Sequence, residues 1–158
     1  MKLILLTQNL SAQVDDWNYD RLMEHKWRAQ YAKGKWYATR SLPRIKGILR
    51  KVEWMHRVIM DTPEDMEVDH RDGDGLNNLE ENVRNCTPRQ NNLNKKASGK
   101  SKYLGVSYSN GRIMVQIRGN NSLIYLGYCK TEEQAAKRYD SAAKYFHGVF
   151  AHLNFPNK

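Results

Sequence analysis

Asp69 and His70 are neighbours in the sequence; Asn82 follows twelve residues after His70, and Asn91 nine residues after that. A histidine can take a proton from water at cellular pH because its pKa lies close to neutrality. A carboxylate and an amide oxygen are hard ligands, suited to Mg2+ or Mn2+ and not to zinc. Together these types could activate a water beside a hard cation. Each also has a plain structural use. An Asp-His pair in a turn-rich loop is commonly a surface turn with a capping carboxylate, and Asn often caps turns. The order of the set within its flanking residues therefore carries the chemical reading. Asp72-Gly73-Asp74 invites a calcium-loop reading, but that pattern would put Leu76 at a ligand position and Val83 where Glu belongs, so it is rejected. His56 is read as a packed or hydrogen-bonded residue, with phosphate contact as its alternative. His25, His147 and His152 are given no chemistry.

The elements around the set are legible in part. Glu67-Val68-Asp69-His70 reads as a strand end running into a loop that holds Gly73, Gly75 and Asn77-Asn78. Asn82 to Cys86 reads as a second short strand. Thr87-Pro88-Arg89-Gln90 is a helix start, with Thr as cap, Pro at the first helical position and Gln three residues on. Upstream, Leu3–Thr7 and Lys35–Arg40 read as strands, and Asp15 to Asp20 offer cap residues for a helix carrying Leu22 and Met23. Val52 to Met60 is apolar in a way that strand and helix share. Ala97 to Lys102 is the linker candidate. Beyond it Tyr103–Tyr108 reads as a strand and Asn110-Gly111 as a hairpin turn. Arg112–Arg118 then alternates strictly, with Ile113, Val115 and Ile117 inward and Arg112, Met114, Gln116 and Arg118 outward. Asn120-Asn121 turns into a third strand, Ser122–Tyr128. Thr131 opens a helix whose alanines let it lie close on the sheet. The other sheet face is left open.

With 158 residues the chain has room for one ordinary domain or two small ones. Lys and Arg number 26 against 17 Asp and Glu, a formal charge of +9. The excess is uneven: residues 97–158 carry +6, and 26–51 hold nine Lys or Arg and no acid. Interleaving of that second region with Trp27, Tyr31, Trp36 and Tyr37 points to nucleic acid as the polyanionic partner. Lys33, Lys35, Arg40, Arg44 and Lys46 are its expected phosphate contacts. The region has no clean apolar face at helical spacing, which speaks against a membrane surface. Two cysteines are too few for a disulfide framework or a four-cysteine zinc site, so no structural zinc is expected. Leu3 to Leu6 is too short an apolar start for a signal peptide, and no stretch approaches a membrane span. A soluble, reduced, cytoplasmic protein is expected.

The ordered set, with Met55–Met60 before it and Leu76-Asn77-Asn78, Glu81–Arg84 and Gln90-Asn91-Asn92 around it, resembles the HNH or ββα-metal nuclease finger in the form where Asn replaces the last His. Val14-Asp15-Asp16 through Lys26-Trp27 and Tyr37-Ala38 is similar to the leader of phage HNH homing endonucleases. Tyr103–Val106, Leu126-Gly127-Tyr128, Ala135-Ala136, Tyr139-Asp140 and Leu153-Asn154-Phe155 resemble the AP2 DNA-binding domain. The resemblance implies an α+β chain: a ββα-metal nuclease module over 1–96, then an AP2-like three-stranded antiparallel sheet with one helix over 103–158. It implies that His70 is the general base, that Asn82 holds the imidazole in its working tautomer, and that Asp69 and Asn91 bind Mg2+ or Mn2+. It also implies double-stranded DNA as partner, a bacterial host cell if the source is a phage, and cleavage to a 5′-phosphate and a 3′-hydroxyl. On the open sheet face Arg112, Gln116, Arg118 and Tyr125 are the expected base contacts, with Met114 and Ser107 nearby. Leu104, Ser107 and Leu123 stand where plant AP2 domains carry Arg, so plant-type target specificity is not implied. One site per chain and the lack of a leucine heptad lead to the expectation of a monomer that nicks one strand. The rival readings are a DNA-binding regulator that keeps the finger as a scaffold, and a nuclease acting on RNA.

Overall fold

Short elements separated by turn residues build two compact units, Met1–Asn91 and Asn92–Lys158. The computed structural model describes residues 1–43, 51–94, 99–119 and 122–156. Arg44, Lys46, the start of the expected linker and the Asn120-Asn121 turn lie outside the described residues.

The first unit opens with a hairpin of β1 (Lys2–Leu5) and β2 (Ser11–Val14), whose inward Ile4, Ala12 and Val14 are buried. Helix α1 (Asp16–Met23) packs Leu22 onto them. Asp15 stands at its cap position, but its carboxylate makes no cap bond and instead accepts the Glu80 N–H at 2.8 Å. A local cap has thus become a tie across sixty-five residues of sequence.

A three-stranded antiparallel sheet follows in the order β3 (Arg28–Ala32), β4 (Lys35–Ser41), β5 (Val52–Trp54). The sequence reading had no strand at β2 or β3. Lys33 and Gly34 both adopt positive φ at the β3–β4 turn, the conformation a two-residue hairpin requires. The ambiguous apolar run splits: β5 gives way directly to the short helix α2 (Met55–Ile59). Ala38 and Met55 are fully buried and close the core with Trp27.

Strands β6 (Glu67–His70) and β7 (Val83–Cys86) then pair antiparallel, with Asp69 opposite Arg84 and His70 opposite Val83. Helix α3 (Pro88–Asn91) follows at once. Its capping box is complete: Thr87 Oγ1 accepts Gln90 N–H at 3.2 Å, and Gln90 Oε1 accepts Thr87 N–H at 2.8 Å. β7 starts one residue later than the sequence suggested, because the Asn82 N–H turns back to the Leu79 carbonyl at 2.8 Å.

The second unit is a sheet in the order β10 (Leu123–Cys129), β9 (Arg112–Arg118), β8 (Val106–Ser109), backed by helix α4 (Glu132–His147). Val115 and Ile117 meet Ala135, Ala136, Tyr139 and Ala143 in the core. Gly105, at φ +70°, lies so close to the Tyr139 ring that no side chain could replace its hydrogen. That turn is why β8 begins at Val106 and not at Tyr103. Thr131 caps α4 through Gln134 N–H.

The loop between β6 and β7 rests on β4 at Gly75, where an added Cβ would run into the Trp36 carbonyl and the Tyr37 ring. Gly75→Ala should cost roughly 1–3 kcal/mol, the usual range for overpacking. All four tryptophans lie in the first unit, so urea denaturation followed by tryptophan fluorescence reads this loss directly. A wild-type midpoint would disprove the contact.

Candidate functional site

Strand alternation sends Asp69 and His70 to opposite faces of β6. Both are buried, at 2% and 6% exposure. On one face Asp69 meets its cross-strand neighbour: Arg84 Nη2 and Nε donate to Asp69 Oδ2 at 2.6 and 2.9 Å. Glu67, two residues back on the same face, accepts the Asn91 Nδ2 at 2.6 Å. Because that bond takes the nitrogen end of the Asn91 amide, its oxygen is the end turned away from Glu67. On this side of the strand pair Asp69 is held by Arg84 and Asn91 by Glu67; a carboxylate and an amide oxygen are donors of the kind a hard divalent cation takes. Cys86, on this same face, has its thiol pushed up to about 11 by burial and by Asp69 and Glu67, so it is no thiolate nucleophile.

On the other face His70 enters an aromatic box. Its ring lies edge-on to His56 at 5.1 Å and to Tyr37 at 6.0 Å between centroids, and Tyr37 in turn meets Trp54 at 5.4 Å. The amide that reaches the imidazole is that of Asn78, whose Oδ1 lies 3.4 Å from His70 Nε2. Asn78 Nδ2 donates to the Leu76 carbonyl at 3.1 Å, which turns the oxygen toward the ring. An oxygen facing Nε2 selects the tautomer with the proton there and puts the basic lone pair on Nδ1. Burial holds the His70 pKa below the ordinary histidine value, against the raising effects of Asn78 and Asp72, so the ring is neutral at pH 7.

Asn82 is placed differently from the sequence expectation. Its oxygen accepts Asp72 N–H at 3.1 Å, and its nitrogen donates to Asp72 Oδ1 at 2.9 Å and to the Asn77 carbonyl at 2.8 Å. The side chain therefore holds the loop that carries Asn78 and acts on His70 at one remove. Asn78 was not singled out from the sequence, where Asn77-Asn78 reads as turn punctuation. Its signal would have been its burial, which composition does not reveal. Asp72 is raised by burial, but the Asp74 N–H and the Asn77 and Asn82 amides, with His70 nearby, bring it below the ordinary carboxylate value.

Among the expected phosphate contacts, Lys33 and Lys35 are exposed. Arg40 is half-buried, with Nε 2.6 Å from Glu53 Oε2 and its guanidinium over the Trp27 ring. In the second unit Arg112, Met114, Gln116 and Arg118 share one face of β9, with Ser107 beside Met114 and Tyr125 beside Gln116. The α4 helix covers the opposite face. A bulge between Tyr125 and Gly127, with Gly127 at φ +101°, shifts the β10 register and brings Tyr128 to this face opposite Met114. Tyr128 meets Tyr125 edge-on at 5.6 Å and lies under Arg112. Plain alternation hides Tyr128, since residues 125 and 128 would point to opposite sides of a regular strand.

A protein of Acanthamoeba polyphaga mimivirus named as an uncharacterized HNH endonuclease is 35% identical to the chain over 134 residues, covering 80% of this chain and 68% of that protein. No family model matches. The chain belongs to the HNH endonuclease family.

The aromatic box makes stability depend on pH. Burial, with the neighbouring His70 and Arg57, lowers His56 to about 3, and its buried Nδ1 has no hydrogen-bond partner among the described residues. Above the unfolded value of about 6.5 both states are neutral and the packing is fully stabilising. As pH falls from there toward 3 the unfolded chain takes a proton that the folded ring refuses, and about 1.4 kcal/mol per pH unit is lost. The urea midpoint of the first unit should therefore drop between pH 7 and pH 5, and His56→Phe should flatten the slope. An equally steep slope in that variant would place the titration elsewhere.

Proposed function

We propose that the protein is a metal-dependent endonuclease that hydrolyses DNA phosphodiesters at the end of β6. The observation that carries this reading is the buried Asp69–His70 pair, split by alternation between a hard-donor face and a base held by an amide. His70 Nδ1 takes the proton of the attacking water. The water oxygen forms its bond to phosphorus while the bond to the 3′-oxygen breaks, and the departing 3′-oxygen takes a proton from solvent, leaving a 5′-phosphate and a 3′-hydroxyl. Asp69 and Asn91 would hold Mg2+ or Mn2+, which when bound would supply charge stabilisation at the phosphate. Arg84 keeps the Asp69 carboxylate oriented and offsets its buried charge. Asn82 is a positioning residue, and Asn78 is the group through which its loop reaches the imidazole.

The strand–strand–helix segment is read as a ββα-metal finger and the second unit as an AP2-like module, as in phage homing endonucleases. The open face of β8–β10 lies in the major groove of duplex DNA and contacts base edges through Arg112, Gln116, Arg118 and Tyr125, with Met114, Ser107 and Tyr128 beside them. Lys33 and Lys35 contact phosphates. No helix among the described residues is long and apolar enough to cross a membrane, and the protein is read as cytoplasmic. One site per chain favours a monomer that nicks.

Supercoiled plasmid incubated with Mg2+ or Mn2+ should accumulate open circles before any linear form, and EDTA should abolish this. His70→Ala should lose cleavage by orders of magnitude while its gel-shift affinity stays at the wild-type value. Linear product from the first time points would contradict nicking. Binding without cleavage by the wild-type protein would favour the non-cleaving regulator.

A further inference from the structure

Lys35 differs from the partnered arginines of the first unit. Arg84 Nε and Nη2 both donate to Asp69 Oδ2, Arg40 Nε donates to Glu53 Oε2, and Arg57 donates to the carbonyls of Thr62, Pro63 and Met66. The Lys35 ammonium enters no ion pair among the described residues, and the side chain is exposed. Its place on β4 sets it near the base. Lys35 and Tyr37 share one face of β4, about 6.6 Å apart at 3.3 Å per residue, and the Tyr37 ring packs against His70. Further along the loop Gly75 is pressed against the backbone of Trp36 and the ring of Tyr37. Lys35 Nζ lies 3.4 Å from the point that a Cβ on Gly73 would occupy. Gly73 N–H closes the turn on the His70 carbonyl at 2.9 Å. The ammonium therefore lies over the turn that begins at the proposed base, on the far side of β6 from Asp69.

Within the described residues no carboxylate pairs with this ammonium. In hydrolysis the non-bridging oxygens gain negative charge as the water oxygen adds to phosphorus, and a cation fixed beside them stabilises that state more than the ground state. We propose that Lys35 is a catalytic residue that binds a non-bridging oxygen of the phosphate being cleaved, opposite the side served by Asp69 and Asn91. This rests on the nuclease reading above and assigns Lys35 a role in the chemical step beyond general attraction to the DNA backbone.

The test separates affinity from rate. Lys35→Met and Lys35→Arg are compared with the wild type in single-turnover nicking of supercoiled plasmid at saturating protein with Mg2+, and in gel shifts on a random-sequence 30-base-pair duplex (a probe of roughly three turns, beyond the 10–10.5 base pairs of one). Tryptophan fluorescence in urea confirms that both variants fold. Lys35→Met should nick roughly 100-fold more slowly at saturation, the scale of losing one charge-stabilising donor, with affinity changed by less than about threefold; Lys35→Arg should recover most of the rate. A lowered affinity with the saturating rate unchanged would make Lys35 an ordinary backbone contact and overturn the assignment, as would no change in either. Absence of nicking by the wild type would instead bring down the nuclease reading itself.

Discussion

The Asn82 amide is the constraint on which the rest of the site depends. The loop from Arg71 to Asn78 contains few apolar side chains and could not hold a shape by burial. It is held by a polar lattice: Asn82 spans Asp72 and Asn77, Asn77 Nδ2 donates to Asp72 Oδ2 at 2.7 Å, and Asp72 Oδ1 also accepts Asp74 N–H at 2.8 Å. Backbone bonds from Gln13 to Leu76 and from Asn78 to Gln13 tie the far end to β2. The lattice fixes Asn78, and Asn78 meets the imidazole. Several cooperating hydrogen bonds around one loop make a stiffer support than any single contact between Asn82 and His70 could.

Two consequences follow for the chemistry. Because β6 alternates, a carboxylate and an imidazole adjacent in sequence work in separate surroundings. Asp69 lies among ionic and amide partners, whereas His70 lies among aromatic rings that keep it neutral. In the proposed mechanism a cation on one face and a base on the other would then not compete for the same lone pairs. Part of the first unit's interior is given over to His56, Tyr37 and Trp54, which surround His70.

The order of Asp69, His70, Asn82 and Asn91 singles out the strand–strand–helix segment in which they lie, but not the partners of Asn82, and the capping box at Thr87 places the start of α3. The alternation of Arg112–Arg118 separated its two faces correctly. What escaped depends on tertiary placement. β3 is too polar to show a period, and Asp15 looks like a local cap until Glu80 arrives. Asn78 looks like any loop asparagine, Lys35 like one lysine of a basic run, and Tyr128 reaches the open face only through the Gly127 bulge. Val52–Met60 could not be divided by pattern because β5 and α2 follow each other without a turn.

The central claim is that the loop lattice sets the His70 tautomer. It is tested most directly by nitrogen-15 NMR of the imidazole side chains at neutral pH, with the His70 signals assigned by their loss in His70→Gln. The wild-type protein should show His70 protonated on Nε2 alone, and Asn82→Ala should show a mixture of tautomers although Asn82 makes no hydrogen bond to the ring. A wild-type ring protonated on Nδ1, or an Asn82→Ala spectrum identical to the wild type, would contradict the account.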